Sequence, residues 1–166
     1  MPFSVVHDSA EKPVRVAPFL NRTDKQRVIE LWNKEYPQHL SFHNEQEFER
    51  YLESIEVKSH FIFKDPKQQI VGWSMVFNRD QKTWFAMIVE EPYQYQGIGK
   101  ALMAAMKNSS HQLNGWVIDH NNDLKENGTN YFTKKDYFVK HDFRILADSR
   151  LETPSVSAVQ IQWQKD

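Results

Sequence analysis

Trp84-Phe85-Ala86-Met87-Ile88-Val89-Glu90-Glu91-Pro92-Tyr93-Gln94-Tyr95-Gln96-Gly97-Ile98-Gly99-Lys100-Ala101-Leu102-Met103 is the stretch that decides the fold. Trp84 to Glu90 is apolar and strand-like. Pro92 stops the run, and Ile98, Ala101, Leu102 and Ala105 then fall on one helical stripe. Two of the chain's five glycines, Gly97 and Gly99, stand at the junction. A glycine-bearing loop that opens a helix leaves several N–H groups without intrahelical partners. The helix dipole favours negative charge at that point. The stretch therefore reads as a diphosphate cradle just beyond a strand end.

The flanking sequence supplies the rest of a single domain. Val14 to Phe19 reads as a first short strand. Thr23 precedes Gln26 at capping-box spacing, Val28, Leu31 and Trp32 follow at helical intervals, and Pro37 ends the helix. A second helix starts at Asn44 and carries Phe48, Tyr51, Leu52 and Ile55 on one face. From His60 the period becomes two. Phe61–Phe63, Ile70–Phe77 and Thr83–Val89, joined by the short turns at Asp65-Pro66-Lys67 and Asn78-Arg79-Asp80, predict an antiparallel meander. Gly115 to His120 is a strand reached through the helix at Ile98, so it runs parallel to the strand at Trp84. A polar loop, a short helix over 131–140 and strands at Phe143–Leu146 and Val156–Trp163 complete the order. The fold class is α/β of the α+β kind. We expect a mixed, mostly antiparallel sheet of about seven strands, with one parallel crossover and about four flanking helices. The domain is expected to span residues 1–166, with 1–12 a flexible or loosely packed N-terminus.

Composition narrows the function. The 21 Lys and Arg nearly balance the 22 Asp and Glu, a net charge of −1, so there is no basic field for nucleic acid. There is no cysteine, which excludes disulfides, thiolate nucleophiles and Cys-based metal sites. Met1 to Val14 contains Asp8, Glu11 and Lys12 and no long apolar run, so neither a signal peptide nor a membrane span is expected, and the expected location is the cytoplasm. His43 and His60 have no metal-ligand spacing with other candidates, and no metal is expected.

The glycine pattern is neither a phosphate loop of the Lys-Ser/Thr kind nor the dinucleotide fingerprint, since both the Lys-Ser pair and the third glycine are missing. Taken alone it also fits a turn that merely packs a helix. In its context, Gln94-x-x-Gly97-x-Gly99, preceded by Met87-Ile88-Val89 and continued by Lys100-Ala101-Leu102-Met103, resembles the acyl-CoA motif (Arg/Gln)-x-x-Gly-x-(Gly/Ala) of the GNAT family of N-acetyltransferases. The element order and Tyr137-Phe138-Val139-Lys140-His141-Asp142-Phe143 extend the resemblance over nearly the whole chain.

The resemblance implies acetyl-CoA as co-substrate and a primary amine of a small molecule or peptide as acceptor. It implies that Gln94, Tyr95, Gln96, Gly97, Ile98, Gly99 and Lys100 hold the diphosphate. Met87, Ile88 and Val89 would offer backbone groups to the pantetheine arm across a gap facing Trp116 to Ile118. A strand N–H near Ile88 or Val89 would serve the oxyanion. A base is needed because a lysine-like amine has a pKa of about 10.4; Glu90 is preferred, with Glu91, Asp119 and His120 as alternatives. The family's thiolate-protonating tyrosine falls at Phe138, with Tyr137 beside it. Tyr137 is therefore the candidate acid, and Tyr93 and Tyr131 are substitutes. The acceptor would enter over Glu30, Glu35, Tyr36, Tyr51 and Glu56. A homodimer is an admissible assembly. The rival readings are a catalytically weak or silent acyl-CoA-binding regulatory module, in which Phe138 leaves the site without an acid, and a protein–protein adaptor.

Overall fold

The computed structural model describes residues 12–166. The expected loose N-terminus thus lies outside the described residues, apart from Lys12. The elements are β1 (Arg15–Ala17), α1 (Arg22–Glu35), α2 (Glu45–Glu53), β2 (Glu56–Lys64), β3 (Ile70–Arg79), β4 (Lys82–Val89), α3 (Ile98–Asn108), β5 (Gln112–Ile118), α4 (Lys135–Lys140), β6 (Arg144–Glu152) and β7 (Ser157–Gln164). Seven strands form one sheet in the order β1-β2-β3-β4-β5-β7-β6. Every neighbouring pair is antiparallel except β4 and β5.

Several boundaries differ from the sequence reading. The side chain of Asn21, not Thr23, caps α1, its Oδ1 accepting from Asp24 N–H at 2.8 Å. Asparagine is the stronger cap, and the helix gains two residues when it starts there. The Asn44 cap of α2 forms as expected, with Glu47 N–H as its donor. β2 begins four residues ahead of His60, because its exposed first half pairs with β3 although it lacks an apolar signature. α4 begins at Lys135 rather than at Tyr131, whose buried ring belongs to the preceding loop.

Each face of the sheet has its own core. Phe61, Val76, Phe85, Val117 and Ile161 pack under α3 with Leu102, Met103 and Met106. On the other face Ile62, Trp73, Met75, Trp84 and Ile88 pack under α1 and α2 with Val28, Leu31 and Phe48. α3 lies so close to β3 that a Cβ at Gly72 would stand 2.7 Å from Ile98 Cγ2.

The second core holds a buried histidine. His60 Nδ1 accepts from Trp73 Nε1–H at 3.1 Å, and burial lowers the imidazole pKa from its usual 6.5 to about 4. Its folded pKa lies below its unfolded one, so the unfolded chain takes up the proton first. Stability is full above pH 6.5 and is lost as the pH falls toward 4. The group's share is about 3 kcal/mol at most. Urea unfolding at pH 7 and pH 4 should show that share in the wild type. It should be absent from His60→Gln, whose amide oxygen still accepts from Trp73; an equal acid loss in both proteins would remove His60 as the cause.

The parallel pair shapes the site. β4 and β5 share one register position, Trp84 with Asn114, and then diverge. The buried Asn114 amide fixes the fork at that point. Its Nδ2 donates to Thr83 O at 3.0 Å and Gln112 Oε1 at 2.9 Å, and its Oδ1 accepts from Gln160 Nε2 at 2.8 Å and Gln162 Nε2 at 3.0 Å. Large rings crowd both faces just beyond it. Trp84 stacks on Trp116 at 5.3 Å, and Phe85 lies so close that a Cβ at Gly115 would meet its ring at 2.7 Å.

Candidate active site

Beyond the fork, β4 has a free edge. Glu90 N–H donates to Val71 O at 2.9 Å, opposite in register to the Gly72–Val89 pair. Alternation then commits the even-numbered residues, Ile88 among them, to the ladder with β3. It turns the backbone groups of Met87 and Val89 toward β5. Two of their carbonyls are already contacted: Val89 O accepts from Gln94 Nε2 at 2.9 Å, and Met87 O from Tyr36 Oη at 3.4 Å. The Gln94 side chain therefore braces the strand end instead of adding a donor to the loop.

The loop after β4 turns through a short 3-10 segment at Glu91–Tyr93. Tyr95 takes φ 65° with its ring wholly exposed, and Gly97 takes φ 86° as the residue before α3. Gln96 Nε2 donates to Pro92 O at 3.1 Å. Among the described residues, the N–H groups of Tyr95, Gln96, Gly97, Ile98, Gly99 and Lys100 have no acceptor. Gln94 N–H before them reaches Glu91 O at 3.1 Å, and Ala101 N–H after them reaches Gly97 O at 3.0 Å. Ile98 anchors the loop with a buried side chain, and Lys100 is exposed on the first turn. This is the geometry that binds a phosphate group: consecutive amides at a helix start, with no Cβ at Gly97 or Gly99 to obstruct them.

Tyr137 closes the α3 side of the fork. Its Oη would stand 2.7 Å from a Cβ at Gly99, a point that Met87 Cε approaches to 3.8 Å. That hydroxyl is buried and has no hydrogen-bond partner among the described residues. Burial raises its pKa. Phe138, one residue on, is core: its ring meets Phe85 at 5.6 Å and Phe143 at 5.5 Å. Of the two neighbours offered by the sequence, Tyr137 rather than Phe138 is directed at the loop.

Glu90 lies on the α1 side. Its carboxylate accepts from Lys34 Nζ at 2.7 Å and Arg27 at 3.1 Å. Burial alone would raise its pKa, but the hydrogen bond and charge of Lys34, together with Arg27, outweigh it and hold the carboxyl below its usual range. Glu91 keeps an exposed carboxylate beside Lys125 at 3.4 Å. Asp119 is held by a bidentate Arg150 at 2.8 and 3.0 Å, which lowers its pKa. His120 lies 3.8 Å from Asp123, away from the loop at the mouth of a small polar cavity. Tyr93 donates to Asp65 at 3.2 Å. Tyr131 is buried beside Tyr36, at 6.3 Å between ring centroids. Of the acceptor-side residues, Glu35 and Tyr36 reach the fork. Tyr51 packs behind them on Trp32, and Glu56 pairs with Asn78 away from it.

Two features escaped the sequence reading. Lys125 is buried, with Nζ donating to Glu35 Oε1 at 3.1 Å, and it fastens the long β5–α4 loop to α1. Nothing local marks it, since its partner is 90 residues away. Arg27 and Lys34 stand seven residues apart on one helix face and both reach Glu90, a partner that nothing in the local sequence indicates. Among the described residues no group of three or more His, Asp or Glu is placed to hold a metal ion, and no helix is long and apolar enough to cross a membrane.

Solved structures with the same fold include a GNAT-family acetyltransferase from Staphylococcus aureus Mu50, at 16% identity, 92% of this chain, 99% of that one and a TM-score of 0.63. A phosphinothricin acetyltransferase from Sinorhizobium meliloti, solved in complex with AcCoA, matches at 11% identity, 92% and 88% coverage and a TM-score of 0.63. The ribosomal-protein-S18-alanine N-acetyltransferase from Escherichia coli matches at 14% identity, 92% and 94% coverage and a TM-score of 0.59. No curated protein matches the sequence itself. The family model described as the acetyltransferase (GNAT) domain matches residues 24–144, well over half of the chain. The protein belongs to the GNAT acetyltransferase family.

Proposed function

We propose that the protein transfers the acetyl group of acetyl-CoA to a primary amine of a small molecule or peptide by direct attack on the thioester. One observation carries this reading: the amides of Tyr95 to Lys100, unpartnered among the described residues, stand at the open end of the fork beside the edge of β4. A diphosphate on those amides leaves the pantetheine arm to run along Met87 and Val89 into the fork, as an added strand would. The solved relative that carries AcCoA on the same fold supports that donor.

The amine nitrogen bonds to the thioester carbon, and the carbonyl oxygen takes the negative charge, for which Val89 N–H is the available strand donor. The C–S bond then breaks, and the thiolate takes the Tyr137 proton. The attacking nitrogen loses its proton to Glu90 through water. Glu90 and Tyr137 lie on opposite faces of the sheet, so the acceptor and the leaving sulfur have separate proton routes. The two cations keep Glu90 ionised at neutral pH while reducing its proton affinity. Placing two reactants in one fork contributes much of the rate, up to roughly 7–11 kcal/mol.

A second reading, an acyl-CoA-binding module with little or no activity, is favoured by the same ion pairs: a carboxylate held by Arg27 and Lys34 is a weak base. Calorimetry with acetyl-CoA, followed by CoA-thiol release with polyamines, aminoglycosides, amino acids and peptides, separates the two. Saturable binding with amine-dependent release is the expected result. Binding without release with any amine establishes the silent module, and absence of binding removes both readings.

A further inference from the structure

The glycine loop is poor in charge for the ligand it is proposed to hold. Gln94 and Gln96 are neutral, and both side chains are already bonded to the loop's own carbonyls, Val89 O and Pro92 O. Lys100, exposed on the first turn of α3, is the one cation within Gln94 to Lys100. The amides and helix dipole supply only partial charges against a diphosphate.

A cation does reach the loop from elsewhere in the chain. Lys12 Cε lies 3.8 Å from the position a Cβ would take on Gly97, and among the described residues other than its chain neighbours no side chain comes as near that point. The strand register explains how. β1 pairs antiparallel with β2, with Arg15 opposite Ile62, so the residues before Arg15 run past Lys64 toward the end of the sheet where β4 finishes. Val14 packs against the core beneath α3, and Pro13 between the two restricts the backbone at that bend. Lys12 is held over the loop by folded structure on its C-terminal side.

The geometry points to Lys12 as a donor-binding residue that places its ammonium on the CoA diphosphate, an inference that rests on the acyl-CoA reading above. A half-exposed lysine in this role is a point charge on a flexible stem. Its contribution is therefore moderate and sensitive to salt.

The test compares wild type, Lys12→Ala and Lys12→Arg by calorimetry with acetyl-CoA, 3′-dephospho-acetyl-CoA and S-acetylpantetheine. Lys12→Ala is expected to weaken acetyl-CoA about 5–10-fold at low salt, and Lys12→Arg to restore most of that. The loss should persist with the 3′-dephospho compound and vanish with S-acetylpantetheine, which has no diphosphate. It should also shrink toward 1 M salt, where the Debye length falls to about 3 Å. Equal affinities of wild type and Lys12→Ala for acetyl-CoA overturn the inference while leaving the acyl-CoA reading intact. A loss that disappears with the 3′-dephospho compound assigns Lys12 to the 3′-phosphate and also overturns it. Absence of acetyl-CoA binding in the wild type removes the acyl-CoA reading, and the inference with it.

Discussion

Gly97→Trp abolishes acetyl-CoA binding, at least 100-fold in Kd, and leaves the fold standing. Gly97 is exposed and has φ 86°, and among the described residues other than its chain neighbours a Cβ there would meet nothing nearer than Lys12 Cε at 3.8 Å. The substitution therefore costs no core packing. It costs the strain of a side chain in the left-handed region, about 1–3 kcal/mol, against a usual domain stability of about 5–15 kcal/mol. An indole at that position covers the amides of Gln96 to Gly99. Circular dichroism should show a melting point lowered by some degrees and an unchanged spectrum, and calorimetry no heat of acetyl-CoA binding. A folded variant with wild-type affinity would mean that this loop is not where the donor sits.

Tyr137→Phe should separate catalysis from stability. Burial keeps the phenol protonated across the neutral range, so it is a proton donor and not a base. In the proposed mechanism its removal takes away the proton the leaving thiolate needs, and kcat should fall about 10²–10⁴-fold with little change in KM. The hydroxyl is buried without a partner among the described residues, and its loss removes an unsatisfied polar atom. The variant should therefore be as stable as the wild type or more so, by about 1 kcal/mol. A structural tyrosine would give the opposite pattern, with stability lost and kcat kept. Turnover at the wild-type rate would remove Tyr137 as the acid.

The sequence made some parts legible and hid others, for physical reasons. The loop was readable because the glycines, the preceding apolar strand and the following helical stripe are all local. The single parallel crossover followed from one strand–helix–strand connection. The fork itself left no periodic trace. It rests on Asn114, which reads as a polar residue interrupting a strand until its four hydrogen bonds to β4, β5 and β7 are seen. The choice between Tyr137 and Phe138 could not be made by counting. A one-residue offset on a short helix turns a side chain by about 100°, from the core to the loop. Long-range ion pairs were equally invisible. Glu90 read as a strand-end carboxylate, and its partners sit 63 and 56 residues earlier.

The one-rung joint between β4 and β5 has a mechanical consequence. It divides the sheet into two plates, β1–β4 and β5–β7–β6, each internally laced by long antiparallel ladders and paired to the other at the single rung of Trp84 and Asn114. Native-state deuterium uptake should then report two protection classes instead of one, since each plate can open without unzipping the other. A molecule lying in the cleft would act as the missing strand, and the two classes would merge when it is present.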